Sequence, residues 1–123
     1  MGIRVLVVED DFVIALGISR QLAEAGFEVV GPARSVANAL RLVAKPGCDV
    51  AVLNVNLGNE TSEPIAGKLQ ASGKPFVVLS GYSTDNLPPL FSDATFLAKP
   101  APIAELVAAV RSAMLKAGPL ANP

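Results

Sequence analysis

Short, largely apolar runs alternate along the chain with longer stretches in which apolar residues recur every three or four positions. The short runs are rich in β-branched residues, which is typical of strands covered on both faces of a sheet. They are residues 3–8, 27–30, 49–53, 75–79 and 95–98. Because helix-period stretches separate these runs, the pattern predicts right-handed βαβ units and a doubly wound parallel sheet of about five strands.

Helices are predicted between most of the strands and after the last one. The first carries an apolar stripe from Ile14 to Leu22 and ends near Gly26. The second begins after Ser35, a favourable N-cap residue, the third covers about residues 63–71, and the last carries a stripe over residues 103–114. The fourth connection, residues 81–92, contains Pro88-Pro89, so we expect a short or irregular helix there.

Composition excludes several function classes. The chain has 123 residues, 51% of them hydrophobic, which suits one domain with a real core. The lack of histidine excludes histidine triads and histidine-ligated zinc, and the single cysteine, Cys48, excludes an intrachain disulfide. A net charge of -1 offers no footprint for nucleic acid. No apolar run approaches the roughly 20 residues that span a bilayer, and no signal peptide is apparent, so we expect a cytoplasmic protein.

Polar residues follow four of the five predicted strands. In an open α/β sheet, ligands bind beyond the carboxyl ends of the strands, where these residues lie. Two adjacent carboxylates suit Mg²⁺, while a hydroxyl and an ammonium group suit the oxygens of a phosphoryl group. The pattern therefore predicts a small site for a metal and a phosphoryl group. Its candidates are Glu9-Asp10-Asp11, Asn54-Val55-Asn56, Ser80-Gly81 and Lys99-Pro100.

Each candidate also has a simpler interpretation. An acidic cluster after a strand is often a solvated loop or a favourable charge at a helix start, and Asp11 is favoured as an N-cap. Ser80 and Lys99 are ordinary turn and surface residues when taken alone, and asparagines often satisfy backbone groups in turns. The functional hypothesis depends on the joint placement of suitable groups at four strand ends.

In this order the motifs resemble the receiver domain of two-component response regulators, over essentially the whole chain. The resemblance implies a flavodoxin-like fold of five parallel strands. It also implies that Glu9 and Asp10 hold Mg²⁺, with Asp10 the direct ligand, and that the main-chain oxygen of Asn56 reaches the metal. Ser80 and Phe96 match the two switch residues. Lys99 and Pro100 match the family's lysine and the cis-proline after it.

Asn54 departs from the family, which has a phosphoacceptor aspartate at this position. A side-chain amide cannot accept the phosphoryl group, because its nitrogen lone pair is delocalised and its oxygen carries no formal charge. Losing one negative charge also weakens the metal site, so we expect Mg²⁺ to bind only weakly. An aspartate-to-asparagine block in an otherwise working receiver and a natural phosphorylation-independent receiver both explain Asn54.

Residues 75–82 carry a narrower resemblance. Pro75-Phe76 and Ser80-Gly81-Tyr82 resemble the PFxxx[ST]GY motif of single-domain alphaproteobacterial receivers. That subgroup has a weak fourth helix and tends to pair with histidine kinases of the HWE type.

The sequence thus predicts a non-enzymatic receiver over residues 1–118 with a short tail over 119–123 and no output domain. Its expected partner is a sensor histidine kinase, possible homodimerisation stays open, and neither nucleic acid nor a membrane is expected. A phosphate-independent interaction module is the alternative. An aspartyl phosphohydrolase would need Asp-x-Asp where Asn54-Val55-Asn56 stands, and a flavin carrier would need a hydroxyl-rich loop where Glu9-Asp10-Asp11 stands.

Overall fold

The computed structural model describes residues 2–81, 89–91, 94–99 and 101–117. Strands and helices alternate as the hydrophobic pattern predicts. In chain order the elements are β1 (Arg4–Val8), α1 (Phe12–Glu24), β2 (Glu28–Ala33), α2 (Val36–Ala44), β3 (Val50–Asn54), β4 (Asn56–Leu57), β5 (Glu60–Thr61), α3 (Glu63–Ala71), β6 (Phe76–Ser80), β7 (Thr95–Ala98) and α4 (Ile103–Ala117).

A five-stranded parallel sheet in the order β2-β1-β3-β6-β7 forms the centre of the fold. The order places β1 and β3 side by side in the middle of the sheet, with β6 next to β3 and β7 at the edge. The predicted flavodoxin-like, doubly wound fold is confirmed. Because all five strands run the same way, their carboxyl ends share one edge of the sheet.

The two faces of the sheet have separate apolar cores, since successive side chains of a strand point to opposite faces. Leu6 and Leu53 pack with Ile65 and other residues of α2 and α3 on one face. Val7 and Val52 pack with Val110 and other residues of α1 and α4 on the opposite face. Burial on both faces explains why the inner strands β1, β3 and β6 are apolar runs with no polar alternation.

The predicted apolar stripe of α1 is wrong at one position. Leu22 is fully buried and Ile18 packs against the second core, but Ile14 is 41% exposed. Ile14 lies in the first turn of α1 and lines the cleft at the carboxyl edge of the sheet. The strand β2 also runs on to Ala33, beyond its predicted end at Val30.

A short antiparallel hairpin follows β3 and was not predicted. It pairs β4 with β5, and Gly58 in its two-residue turn has φ +71. A Gly-Asn pair at residues 58–59 is a recognised signal for such a turn, because it tolerates the left-handed conformation.

Between β6 and β7, the described residues contain one 3₁₀ turn, Pro89–Phe91, and no α-helix. Phe91 is buried and packs edge-to-face on Phe76, with ring centroids 6.2 Å apart. Residues 82–88 and 92–93, and with them Tyr82 and Pro88, lie outside the described residues.

Candidate functional site

A cleft of about 610 Å³ opens at the carboxyl edge of the sheet. The ends of β1 and β3 supply its floor because these strands are neighbours in the middle of the sheet. Seven of the candidate residues from the sequence line the cleft together: Glu9, Asp10, Asp11, Asn54, Asn56, Gly81 and Lys99. The sequence predicts that the side chains of residues 9, 10, 54, 80 and 99 converge on one site, and all of these except Ser80 line the cleft.

Glu9 is the buried anion of the site, with 2% of its surface exposed. Its Oε1 accepts a hydrogen bond from Lys99 Nζ at 2.6 Å. Its Oε2 accepts from the backbone amide of Asp11 at 3.2 Å and from Asn54 Nδ2 at 3.3 Å. A buried carboxylate needs such compensation, because an unpaired charge is costly to remove from water.

Asn54 donates its side-chain amide to three oxygens. Nδ2 lies 3.3 Å from Glu9 Oε2, 3.2 Å from Asp10 Oδ1 and 2.5 Å from the main-chain oxygen of Asn56. The oxygens of an ionised carboxylate and of an amide carbonyl accept hydrogen bonds and cannot donate them. The neighbours therefore require the nitrogen of the amide, and not its oxygen, to point towards them.

Lys99 joins the edge strand to the centre of the sheet. Its ammonium reaches Glu9 at the end of β1, and its backbone amide donates to the main-chain oxygen of Ser80 at 2.9 Å. The Lys99 side chain is largely buried, with 21% exposed. The ion pair is thus partly shielded from solvent and brings the loop after β7 to the acidic end of β1.

The two predicted switch residues lie outside the lining of the cleft. Ser80 is buried at the end of β6, and the next residue, Gly81, is the one that lines the cleft. Phe96 is partly buried on β7 and packs against the core shared with α2 and α3. Pro100, the predicted cis-proline, lies outside the described residues.

Asp11 caps α1, as the simpler interpretation predicts. Its Oδ1 accepts hydrogen bonds from the backbone amides of Val13 at 3.0 Å and Ile14 at 3.1 Å. These bonds satisfy two of the donors that a helix leaves free at its start. Asp11 also lines the cleft, but its carboxylate is engaged by the helix.

Sequence reasoning missed Arg34. It follows β2, and its Nε donates to the main-chain oxygen of Asp10 at 3.3 Å, while its guanidinium lies 5.4 Å from the centre of the Phe12 ring. Arg34 follows the carboxyl end of a strand in the same way as the other candidates. The strand-end rule would have identified it if β2 had been predicted to extend to Ala33.

The groups around Asn54, as they are arranged, do not fit a bound divalent cation. Mg²⁺ needs oxygen ligands, and the oxygens of Glu9, Asp10 and Asn56 already face the Asn54 nitrogen. Within the described ranges, no cluster of three or more histidine, cysteine, aspartate or glutamate side chains could hold a metal ion.

Cys48 lies at the opposite edge of the sheet and is buried. Burial raises the pKa of its thiol, an effect that the nearby Lys74 ammonium partly offsets. The thiol therefore packs as a small apolar group, as predicted from the sequence.

The response regulator receiver domain family model matches residues 5–111. The chain belongs to this family. A curated relative, the transcriptional regulatory protein PdtaR of Mycobacterium tuberculosis, is 31% identical over 118 residues, which cover 90% of this chain and 56% of the relative. The receiver chain thus spans about half the length of such relatives.

Solved structures share the fold of this chain. A CheY-like response regulator receiver domain protein from Methanospirillum hungatei superposes with a TM-score of 0.85 at 18% identity, covering 95% of this chain and 97% of that one. A response regulator protein from Burkholderia pseudomallei superposes with a TM-score of 0.79 at 26% identity, covering 98% of this chain and 75% of that one. That protein carries a phosphorylated aspartic acid and a calcium ion.

Among the described helices, none has the length and apolar character needed to cross a membrane.

Proposed function

We propose that this receiver relays a signal in a two-component pathway by docking a sensor histidine kinase at the cleft. Position 54 is the proposed place of phosphoryl transfer, and Asn54 blocks that transfer in the present sequence. The observation that carries the proposal is the convergence of Glu9, Asp10 and Lys99 around Asn54. In this role the domain is not an enzyme, and it acts in the cytoplasm together with its kinase.

The chemistry explains why residue 54 decides the outcome. In the Asn54→Asp variant, a carboxylate oxygen would attack the phosphorus of a phosphohistidine. An O–P bond would form, the N–P bond would break, and the imidazole would leave with the bonding electrons and take up a proton. The Lys99 ammonium, now paired with Glu9, is available to offset the charge of the acyl phosphate. The amide of Asn54 cannot take the first step.

The Burkholderia relative supports an aspartate as the kind of residue that accepts the phosphoryl group, since that protein carries a phosphorylated aspartic acid. The test is incubation of the Asn54→Asp variant with acetyl phosphate and Mg²⁺, followed by intact-mass measurement. We expect a phosphoryl adduct that hydroxylamine removes, as it removes acyl phosphates.

Asn56→Asp is the matched control, because it places a carboxylate two positions away, where only the main-chain oxygen meets Asn54. The parent and the control should stay unlabelled. An unlabelled Asn54→Asp variant, or equal labelling of the control, would contradict the proposal and favour the phosphate-independent interaction module.

The exposed start of α1 is the proposed kinase contact. A kinase that delivers a phosphoryl group to residue 54 must cover the rim of the cleft, and Ile14 belongs to that rim. Beside it, Phe12, Val13 and Leu16 are 53%, 76% and 47% exposed, an unusual density of exposed apolar groups on one short segment. Their placement supports docking of an apolar kinase surface against α1.

Exchange of Val13 for lysine tests this contact. With an autophosphorylated HWE-type kinase core as donor, we expect Val13→Lys in the Asn54→Asp background to slow phosphotransfer while acetyl phosphate labelling is unchanged. Leu115→Lys is the control, since Leu115 is 78% exposed on α4. If phosphotransfer slows only in Leu115→Lys, the kinase contact lies on α4 and not on α1. A change in oligomeric state with Leu115→Lys would instead identify α4 as a homodimer surface.

A further inference from the structure

We infer that the Asn54 side-chain amide takes the place of a divalent cation. The acidic site of this receiver is then held together without bound Mg²⁺. The inference deepens the proposed function, since it concerns the same cleft, and it describes the state in which the receiver meets its partner. Asn54 then does more than prevent phosphoryl transfer, because its hydrogen bonds hold the side chains of the site together.

The geometry around one nitrogen atom is the first argument. Asn54 Nδ2 is within 3.3 Å of oxygens from Glu9, Asp10 and Asn56, which come from the end of β1 and from the residue that begins β4. These are the same oxygens that a cation at this edge would need. Nitrogen and cation cannot hold the same position, so the amide and Mg²⁺ compete for one set of acceptors.

Charge is the second argument. The formal charges of Glu9, Asp10 and Lys99 leave one net negative charge around Asn54, and the Lys99 ammonium lies 2.6 Å from Glu9. Asp11, whose carboxylate caps α1, adds a further negative charge to the lining of the cleft. Oδ1 of the Asp10 carboxylate accepts a hydrogen bond from Asn54 Nδ2. A third carboxylate at position 54 would remove this donor and add a second net negative charge. Like charges crowded in this way require a cation to balance them.

The inference predicts that Asp10→Asn changes the stability of the fold in opposite directions with Asn54 and with Asn54→Asp. With Asn54 present, Asp10→Asn replaces a charged acceptor by a neutral one and weakens a charge-assisted hydrogen bond. With Asn54→Asp, the same substitution relieves repulsion between two carboxylates. In EDTA, Asp10→Asn should therefore lower stability in the parent and raise it in the Asn54→Asp background.

Urea unfolding of the four proteins of this double-mutant cycle, in EDTA and in Mg²⁺, measures the reversal. We expect about a tenfold loss in the folding equilibrium constant for Asp10→Asn in the parent, the usual scale for a hydrogen bond to a charged group. The parent midpoint should not move with Mg²⁺, whereas the Asn54→Asp midpoint should rise. Glu24→Gln, which changes an exposed carboxylate at the far end of α1, should behave alike in both backgrounds.

A gain in stability for Asp10→Asn in the parent, or a Mg²⁺-dependent rise of the parent midpoint, would overturn the inference. If the Asn54→Asp variant does not fold in EDTA, its recovery on adding Mg²⁺ supports the inference and a failure to recover contradicts it.

Asn54→Ala is a further check, because it leaves the acceptors without the donor and should be less stable than the parent. Equal stability of Asn54→Ala and the parent would also contradict the inference. Labelling of the Asn54→Asp variant by acetyl phosphate is independent of these results, so the proposed function can stand when the inference fails.

Discussion

Asp10 and Asp11 are adjacent acidic residues with different surroundings in the structure. The carboxylate of Asp10 faces Asn54 in the cleft, whereas that of Asp11 faces the first turn of α1. The sequence places both after a strand and just before a helix, which makes Asp11 the better placed N-cap. Residue type alone could not have separated their roles, but position relative to the helix did.

Removal of the Asp11 cap should destabilise the fold without a change at residue 54. We expect Asp11→Ala to lower the free energy of unfolding by about 1 kcal/mol, the usual cost of losing an N-cap acceptor. Asp11→Asn keeps an acceptor oxygen and should cost much less. Urea denaturation measures both, and an equal loss in the two variants would mean that charge, and not capping, is what matters at Asp11.

Cys48 gives a prediction about pH. Burial raises the pKa of the folded thiol, so above about pH 8.5 the unfolded chain loses this proton more readily than the folded one. The free energy of unfolding should therefore fall as the pH rises from about 8.5 through the folded pKa, and be unaffected by Cys48 below that range. Urea unfolding at several pH values, with Cys48→Ala as reference, checks this. A parent and a reference with parallel pH profiles would contradict the assigned burial effect.

At the scale of an element, α1 is a helix whose first turns expose large apolar side chains. Gly17 lies in its interior, and a Cβ added there would meet no atom within 4 Å. Glycine inside a helix normally costs stability relative to alanine, and no packing requirement of this fold explains its presence. Gly17 also lines a groove of about 350 Å³ between α1 and α4.

Gly17→Ala should therefore stabilise the domain, by about 1 kcal/mol in urea denaturation, because alanine restricts the unfolded chain and adds helix propensity. Gly26→Ala is the contrasting control. Gly26 has φ +100, where an L side chain is strained, so the same substitution should destabilise. A loss of stability for Gly17→Ala would show that its small size is needed within the fold itself.

The elements that sequence patterns predicted well are those with strong periodicity. The strand β7 and the helices α2 and α3 have the predicted positions. For α2 the local signal is its N-cap, because the Ser35 side chain accepts a hydrogen bond from the backbone amide of Asn38. The hairpin of β4 and β5 was missed, since its two-residue strands are too short to show alternation. The exposure of Ile14 was missed because periodicity predicts which residues share a helix face, but not where the sheet beneath that face ends.

For the whole molecule, strand order is what brings distant residues together. Residues 9, 54 and 99 meet because β1, β3 and β7 belong to one parallel sheet whose carboxyl ends share an edge. That convergence could be predicted from the sequence once the alternation of strands and helices was recognised. The hydrogen bonds could not, because the orientation of the Asn54 amide and the choice of Glu9 as the partner of Lys99 depend on side-chain positions that no sequence pattern encodes.

The most direct test of the central claim, that Asn54 is held among the oxygens of Glu9, Asp10 and Asn56, is NMR of its side-chain NH₂ group. In ¹⁵N spectra at neutral pH, we expect these two hydrogens to be slow to exchange with solvent, to move strongly with Asp10→Asn and to stay fixed during a Mg²⁺ titration. Rapid exchange together with indifference to Asp10→Asn would contradict the account, because the Asn54 amide would then be in solvent and the site would not be assembled as described.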